Sequence, residues 1–398
     1  MNRQAALELE CWSEEFVSLS SQQASEITQS ALVDLQPAGD LWRIVADSRI
    51  GVATGSDWEV RVHPRMAIPQ LFFLLAYASD PKGWRDQMAR FHHEDTLLDS
   101  IASGFAFNAL RVLERGIMRG YVTTEDRLTT IRGRIRFGDQ ISRSVTLPLP
   151  VEVTFDDFTE DVIENQMIVT ASKALLRLPR IPLLARKRLQ KICGLLNDVS
   201  VVARPREATT PPITRLNQRY EPIMRLSELI LHACSLQSPR GGFVGAGFVF
   251  DMNRVFEDFV TVGLTEATVA SGYESRAHWY DWLDVENKLR IIPDISWWRG
   301  DVCVSIGDAK FKELQIRGMP NADAYQMLAY CTALNVRRGY LIYAKDSTSH
   351  QTEHSVINGV CSILVRTLDV ELAPEDLLRQ VSSLGVEMLR VENVTRVA

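Results

Sequence analysis

Residues 288–310 read KLRIIPDISWWRGDVCVSIGDAK, and this run decides the fold of the C-terminal part of the chain. Its second half, Val302 to Lys310, alternates in the manner of a strand. Val302, Val304, Ile306, Asp308 and Lys310 share one face. Three apolar residues bury the start of that face, and an acid and a lysine crown its end about 6–7 Å apart. The first half, Lys288 to Ile295, reads as a strand ending at Pro293-Asp294, because proline cannot donate to a ladder and marks an end where a side chain is re-aimed. With Trp297-Trp298-Arg299-Gly300-Asp301 as the turn, a symmetric hairpin sets Asp294 nearer Ser305, so Asp294 reaches Asp308 only through a bend at Pro293.

The pattern continues on both sides of this hairpin. Met252 to about Ala267 reads as a helix, with Met252, Val255, Phe256 and Phe259 at the spacing of a buried stripe and Glu257 on its flank. Downstream, Gln326 and Tyr330 stand four apart on a helix and share a face, although Tyr330 taken alone reads as a core aromatic. Helix, strand, turn, strand, helix, strand over 251–345 predicts an α/β domain at 246–398, a mixed sheet flanked by helices.

Two carboxylates and an ammonium at one strand end suit a particular task. Asp294 and Asp308 can hold a hard divalent cation, Mg2+ with Mn2+ as the alternative. Such an ion neutralises the charge of a phosphodiester and lowers the pKa of a bound water. Lys310 could orient or help deprotonate that water, or stabilise the pentavalent transition state. Glu257 could complete the shell or support a second ion. Asp-x-Lys by itself is common and makes ordinary salt bridges, with Asp294 then capping a turn. The Pro-Asp upstream and the acidic helix before it favour the chemical reading.

This constellation resembles the PD-(D/E)xK nucleases, whose core sets Pro-Asp, an acid-x-lysine strand and an acid from a preceding helix around a metal. Pro293-Asp294 and Asp308-Ala309-Lys310 match directly, Glu257 more loosely, and Gln326 with Tyr330 matches the QxxxY helix of a subset of these enzymes. The wider chain resembles McrC, the nuclease subunit of McrBC modification-dependent restriction systems. WEVRVHPRM, IRGRIRF, VTFDDFTED, MNRVFEDFV and IIPDI…GDAKFK…YQMLAYC follow in order from about residue 40 onward. The resemblance implies a Mg2+-dependent endodeoxyribonuclease acting on double-stranded, modified DNA. Asp294, Asp308, Lys310, Glu257, Gln326 and Tyr330 would be its catalytic set, and Asp294, Asp308 and Glu257 its metal ligands. It also implies a partner, an McrB-like hexameric AAA+ GTPase. The family docks on that ring, inserts a projection into its pore and stimulates its GTP hydrolysis. The alternative is a non-catalytic adaptor of an AAA+ ring that keeps the fold.

Residues 1–120 are expected to form a β-rich, partner-binding N-terminal domain. In it Leu41 to Thr54 and Trp58 to His63 read as two strands around Gly55-Ser56-Asp57, and a helical region opens at Leu71. Residues 121–160 read as a projecting hairpin. Thr130 to Phe137 alternates apolar and basic residues, Gly138-Asp139 offers a turn, and Val151 to Phe155 is a second strand. That segment is either a solvated ribbon or a basic surface offered to a partner or to phosphates. Residues 161–245 read as a helical connector, with Gly241 to Gly247 as a hinge. His92-His93 reads as a solvated polar face, and Trp279, Trp282, Trp297 and Trp298 as core packing in preference to base stacking.

The 398 residues suit two or three domains at about 150 residues each. Hydrophobic residues make up 46% and charged residues 24%, as in soluble globular proteins. With 44 Lys and Arg against 50 Asp and Glu, the net charge of −6 excludes a bulk-basic nucleic-acid binder, so any polyanion must be met by a local patch, a metal or a partner. There is no Walker-A motif, so nucleotide is expected on the partner and not on this chain. Six scattered cysteines without metal spacing, no export signal and no apolar run of ~18 residues point to a cytoplasmic protein with free thiols and no membrane contact.

Overall fold

A computed structural model describes residues 5–79, 81–85, 97–143, 149–178, 180–234, 246–312, 319–345, 351–359 and 361–390. His92-His93 and the stretch 241–245 lie outside the described residues. The chain divides into two compact units, one of residues 1–52, 58–89 and 249–398, the other of 53–57 and 90–248.

The N-terminal stretch holds β1 (Ala5–Glu10), β2 (Glu14–Val17), α1 (Ser21–Gln29), β3 (Asp34–Ala38), β4 (Leu41–Val45), β5 (Arg49–Thr54), β6 (Trp58–His63) and α2 (Ile68–Ser79). Helix α1 opens on a capping box, with the Ser20 hydroxyl accepting from the Gln23 amide and the Gln23 side chain accepting from the Ser20 amide. The run from Leu41 to Thr54, expected as one strand, is two. It breaks at Ala46-Asp47-Ser48, where the Asp47 carboxylate accepts from the Arg49 amide at 2.9 Å. The halves join different sheets, β4 between β2 and β3, and β5 beside β6. Apolar β-formers on both sides of the break hide it from local propensity.

The second unit contains α3 (Leu97–Glu114), β7 (Gly120–Leu128), β8 (Arg134–Ile135), α4 (Phe137–Arg143), β9 (Val151–Thr159), α5 (Ile163–Leu176), α6 (Leu183–Leu195) and α7 (Glu221–Cys234). Strand β9 lies antiparallel between β7 and β8. The basic run 130–137 contributes two ladder residues only, and Gly138-Asp139, expected as a turn, lies inside α4. Its arginines are answered by neighbouring acids: Arg132 meets Asp157 at 2.8 Å, and Arg136 meets Glu125 at 2.8 Å and also Asp139.

The chain continues through β10 (Ala246–Asp251), α8 (Met252–Thr268), β11 (Glu274–Ala277), β12 (Asp281–Trp282), β13 (Arg290–Ile291), β14 (Ile295–Arg299), β15 (Val302–Lys310), α9 (Asn321–Ala333), β16 (Arg338–Ala344), β17 (Thr352–Ser355), β18 (Ser362–Leu368) and α10 (Pro374–Met388). A six-stranded mixed sheet runs β11-β14-β15-β16-β18-β17, parallel from β15 through β16 to β18 and antiparallel elsewhere. On one face α9 packs Met327, Tyr330 and Cys331 against Ile306, Leu341, Tyr343 and Val365. Gly339 in β16 makes that approach possible, because a Cβ there would collide with Met327 and Cys331. On the opposite face Met388 of α10 reaches Gly307, and Gly385 of α10 packs against Thr268 and Leu264 of α8.

The start of α8 is pinned. Asp251 caps it by accepting from the Asn253 amide at 2.9 Å, and the Asn253 side chain donates to the Ser48 hydroxyl at 2.7 Å. The buried stripe of α8 is the one expected, with Phe259 edge-on to Phe73 and Tyr77 at 5.6 Å. Among the described residues no helix is long and apolar enough to cross a membrane.

Candidate metal centre

The hairpin that carries the site turns at Gly300-Asp301, with Gly300 in the left-handed region (φ 60°). Trp297 and Trp298, expected in the turn, are buried ladder residues of β14. The register shifts between them, so that Trp298 pairs with Cys303 and Trp297 with Ser305, leaving Val304 as the extra residue of a bulge. Beyond it Ile295 faces Gly307, and the chain bends at Asp294, directly after Pro293, where Asp294 comes beside Asp308. Pro293-Asp294 therefore leads into β14 and does not end a strand over 288–295, of which Arg290 and Ile291 form β13 and Ile295 opens β14. The face read from Val302 to Lys310 holds from Ile306 onward; before the bulge it breaks, with Val302 exposed, Val304 half-buried and Cys303 sharing the core with Ile306.

Asp294 is buried, and its Oδ2 accepts from the Ala309 amide at 2.7 Å, which ties the start of β14 to the C-terminal end of β15. Asp308 is 1% exposed. Its Oδ2 lies 2.7 Å from the Lys310 ammonium, but off the line of a hydrogen bond, so that buried oxygen keeps acceptor capacity. Burial, reinforced by the Glu257 charge, pushes the Asp294 carboxyl up to about 7. Burial and the Asp294 charge push Asp308 up to about 7 as well. Burial also raises Glu257, which shares a hydrogen bond with Asp294. For Lys310 burial favours the neutral amine, but the Asp308 and Asp294 charges outweigh it and hold the ammonium above its usual range. Three carboxyls are thus crowded where their charges are costly, a donor set short of a cation.

The structure adds His278, a residue that no sequence pattern singled out. Oxygens of Glu257 and Asp294 and a ring nitrogen of His278 lie within 4.8 Å of one another. His278 Nδ1 is 3.4 Å from Glu257 Oε1, and the His278 amide donates to the Asp294 carbonyl at 3.0 Å. This places His278 where β11 leaves its pairing with β14, opposite the point where the chain returns. Two carboxylate oxygens and an imidazole, with Asp308 alongside, suit Mg2+ or Mn2+, the nitrogen favouring the softer ion.

Between His278 and Asp294 the chain makes an excursion, residues 279–293, with its own β12–β13 pair. Asp284 closes its tip by accepting from the Lys288 and Leu289 amides at 2.9 and 2.6 Å. The tryptophans divide here. Trp297 and Trp298 are core, as expected, whereas Trp279 reaches the surface beside exposed Tyr280. The Arg276 guanidinium sits 4.7 Å from the Trp279 ring and 4.6 Å from that of Trp298, anchoring the excursion to the sheet.

Gln326 and Tyr330 do share a face of α9, and they bond to each other, Gln326 Nε2 donating to the Tyr330 hydroxyl at 2.7 Å. That hydroxyl donates in turn to the Ile292 carbonyl at 3.0 Å, two residues before Asp294. Burial raises the Tyr330 pKa, so the hydroxyl stays a donor. Lys312, Asp323 and Tyr343, which no local pattern singled out, also meet beside this cluster.

Fold and centre together define a mixed α/β protein with an acid-histidine-lysine cluster at a strand end. The family model described as "McrBC 5-methylcytosine restriction system component" matches residues 44–344, and the chain belongs to that family. The resemblance read from the sequence is borne out at this level. Among solved structures the chain is similar to one described as "Refined half-complex from tetradecameric assembly of Thermococcus gammatolerans McrB AAA+ hexamers with bound McrC". The identity is 16%, with 96% of this chain and 100% of that chain covered and a TM-score of 0.57. It also matches a cryo-EM structure of the Thermococcus gammatolerans McrBC complex at 18% identity, covering 66% of this chain and 88% of that one, TM-score 0.40. No curated protein matches.

Proposed function

We propose that this chain is the DNA-cutting subunit of a McrBC-type restriction system, hydrolysing phosphodiesters with a divalent cation while docked on an AAA+ GTPase ring. The observation that carries the reading is the convergence of Glu257, Asp294 and Asp308 with Lys310 at the end of β15, which resembles the acid and lysine set of the PD-(D/E)xK nucleases. Family membership supports the restriction system, and the similar structure, which holds McrB AAA+ hexamers with bound McrC, supports the partner.

Glu257, His278 and Asp294 would hold the cation, with Asp308 adjoining. When bound, it supplies neutralisation of phosphodiester charge and easier deprotonation of water. Lys310, kept charged by Asp308, aims an ammonium at the charge that grows on the phosphoryl oxygens. Its raised pKa makes it a poor base near neutrality, which leaves electrostatic stabilisation as its role. Retaining two buried carboxyls crowded with a half-buried third costs stability, which argues against an adaptor with no use for them.

The test combines the purified chain, its AAA+ partner, GTP and modified duplex DNA. Cleavage is expected with Mg2+ or Mn2+ and is lost with chelator. Full cleavage in chelator removes the metal, and no cleavage under any condition leaves the adaptor. Tyr330 acts on the site through the Ile292 carbonyl. Tyr330→Phe is expected to cost about 1 kcal/mol of stability and to weaken divalent-ion affinity by about 10-fold. Calorimetric titration checks this, and unchanged affinity removes the positioning role.

A further inference from the structure

We propose that Lys312, held by buried Asp323, forms a second phosphate subsite that grips the DNA strand next to the phosphate being cut. The inference rests on the DNA-cleavage reading.

Lys312 follows Lys310 by two residues in the run Gly307-Asp308-Ala309-Lys310-Phe311-Lys312. Its ammonium spans both oxygens of Asp323, at 2.9 Å from Oδ1 and 2.8 Å from Oδ2. Asp323 lies buried in the first turn of α9, and its Oδ2 also accepts from the Tyr343 hydroxyl at 2.5 Å. Tyr343 is itself fully buried in β16. Strand, helix and the segment after β15 therefore converge to fix one ammonium.

Stability is a weak reason for such a pair, since desolvating an ion pair roughly cancels its attraction and an apolar pair would serve as well. Position is a better one. An ammonium carries three donors, and the one hydrogen bond to Asp323 Oδ1 leaves donor capacity over. The Lys312 side chain keeps 30% of its surface in solvent, so its ammonium has access to a ligand. Asp323 also acts electrostatically on Asp308 and Lys310, which puts both lysines in one neighbourhood. Each ammonium has its own buried carboxylate, Asp308 for Lys310 and Asp323 for Lys312. Lys312 stands two residues beyond Lys310, so their Cα atoms can lie at most about 7 Å apart, within the spacing of successive phosphates of one strand. A chain of net charge −6, with three carboxyls at its centre, needs fixed cations there to hold a polyanion.

The experiment is steady-state cleavage by the complete complex across a series of salt concentrations. Lys312→Met is expected to raise KM about 10-fold or more, the value of a lost charge-assisted hydrogen bond, with kcat within threefold. The slope of log(1/KM) against log[salt] should shrink by about 0.9, one phosphate contact. Lys312→Arg should keep the wild-type slope. Where Lys312→Met fails to fold, Lys312→Met with Asp323→Asn removes both ends of the pair and leaves no lone buried charge. Wild-type KM and slope in a variant that cleaves overturn the subsite, as does a loss confined to kcat. A wild-type complex that cuts no DNA overturns the cleavage reading instead, and the subsite with it.

Discussion

Asp308→Asn is expected to lower DNA cleavage by a factor on the order of 10²–10³ or more, the usual loss when one preorganised charge-stabilising group is removed. Asparagine preserves the shape of the buried side chain and its place on β15. It removes the negative oxygen beside Lys310 that adjoins the metal donors. Folding should be almost untouched at pH 6. Asp308, pushed up to about 7, is then mostly protonated, and the amide replaces a neutral acid of the same size. Melting at pH 6 and single-turnover cleavage on the same preparation separate the two effects. A variant that melts like wild type and still cuts within twofold of it would take Asp308 out of the site.

The second expectation concerns the metal-free chain. Asp294 and Asp308 titrate near 7 in the folded protein, against 3.8 for an unperturbed aspartate. Between about pH 4 and pH 7 the unfolded chain has lost these protons while the native chain still holds them. Stability is therefore full below pH 4 and falls as pH rises through 7. Each pKa unit is worth 1.36 kcal/mol, so the pair is worth several kcal/mol, on the order of 10 °C in melting temperature. The double variant Asp294→Asn, Asp308→Asn should flatten that fall. Adding Mn2+ or Mg2+ to wild type at pH 8 should restore about 2.7 kcal/mol at 100 times the dissociation constant. Melting curves from pH 5 to 8.5, with and without ion, check both. A pH profile shared by wild type and double variant would mean that these carboxyls are not strained by folding.

Local patterns carried much of the C-terminal sheet. The apolar stripe of α8 and the alternation of β15 from Ile306 onward follow from one residue type repeated at one period, and both stand where expected. The meeting of Asp294 with Asp308 was legible only as a condition. It depends on a bulge at Val304 and a turn at Gly300-Asp301, and the register of a hairpin is set by its partner strand as much as by its own residues. His278 was out of reach for the same reason, because its position comes from the pairing of β11 with β14 across the excursion. Lys312, Asp323 and Tyr343 come from a loop, a helix and a strand, and no spacing along the chain announces their meeting. In the basic run 130–137 the alternation was real, yet only Arg134 and Ile135 join the ladder, and the glycine read as a turn sits in a helix.

The excursion between His278 and Asp294 begins and ends at candidate metal donors that are already bridged across its base, through the His278 amide and the β11–β14 ladder. The geometry at the base is therefore insulated from what lies on the far side of the loop. Lengthening residues 279–293 costs only about 0.6 kcal/mol per doubling in closure entropy. Recognition grafted onto that segment can drift or be exchanged while the chemistry beneath it is inherited intact.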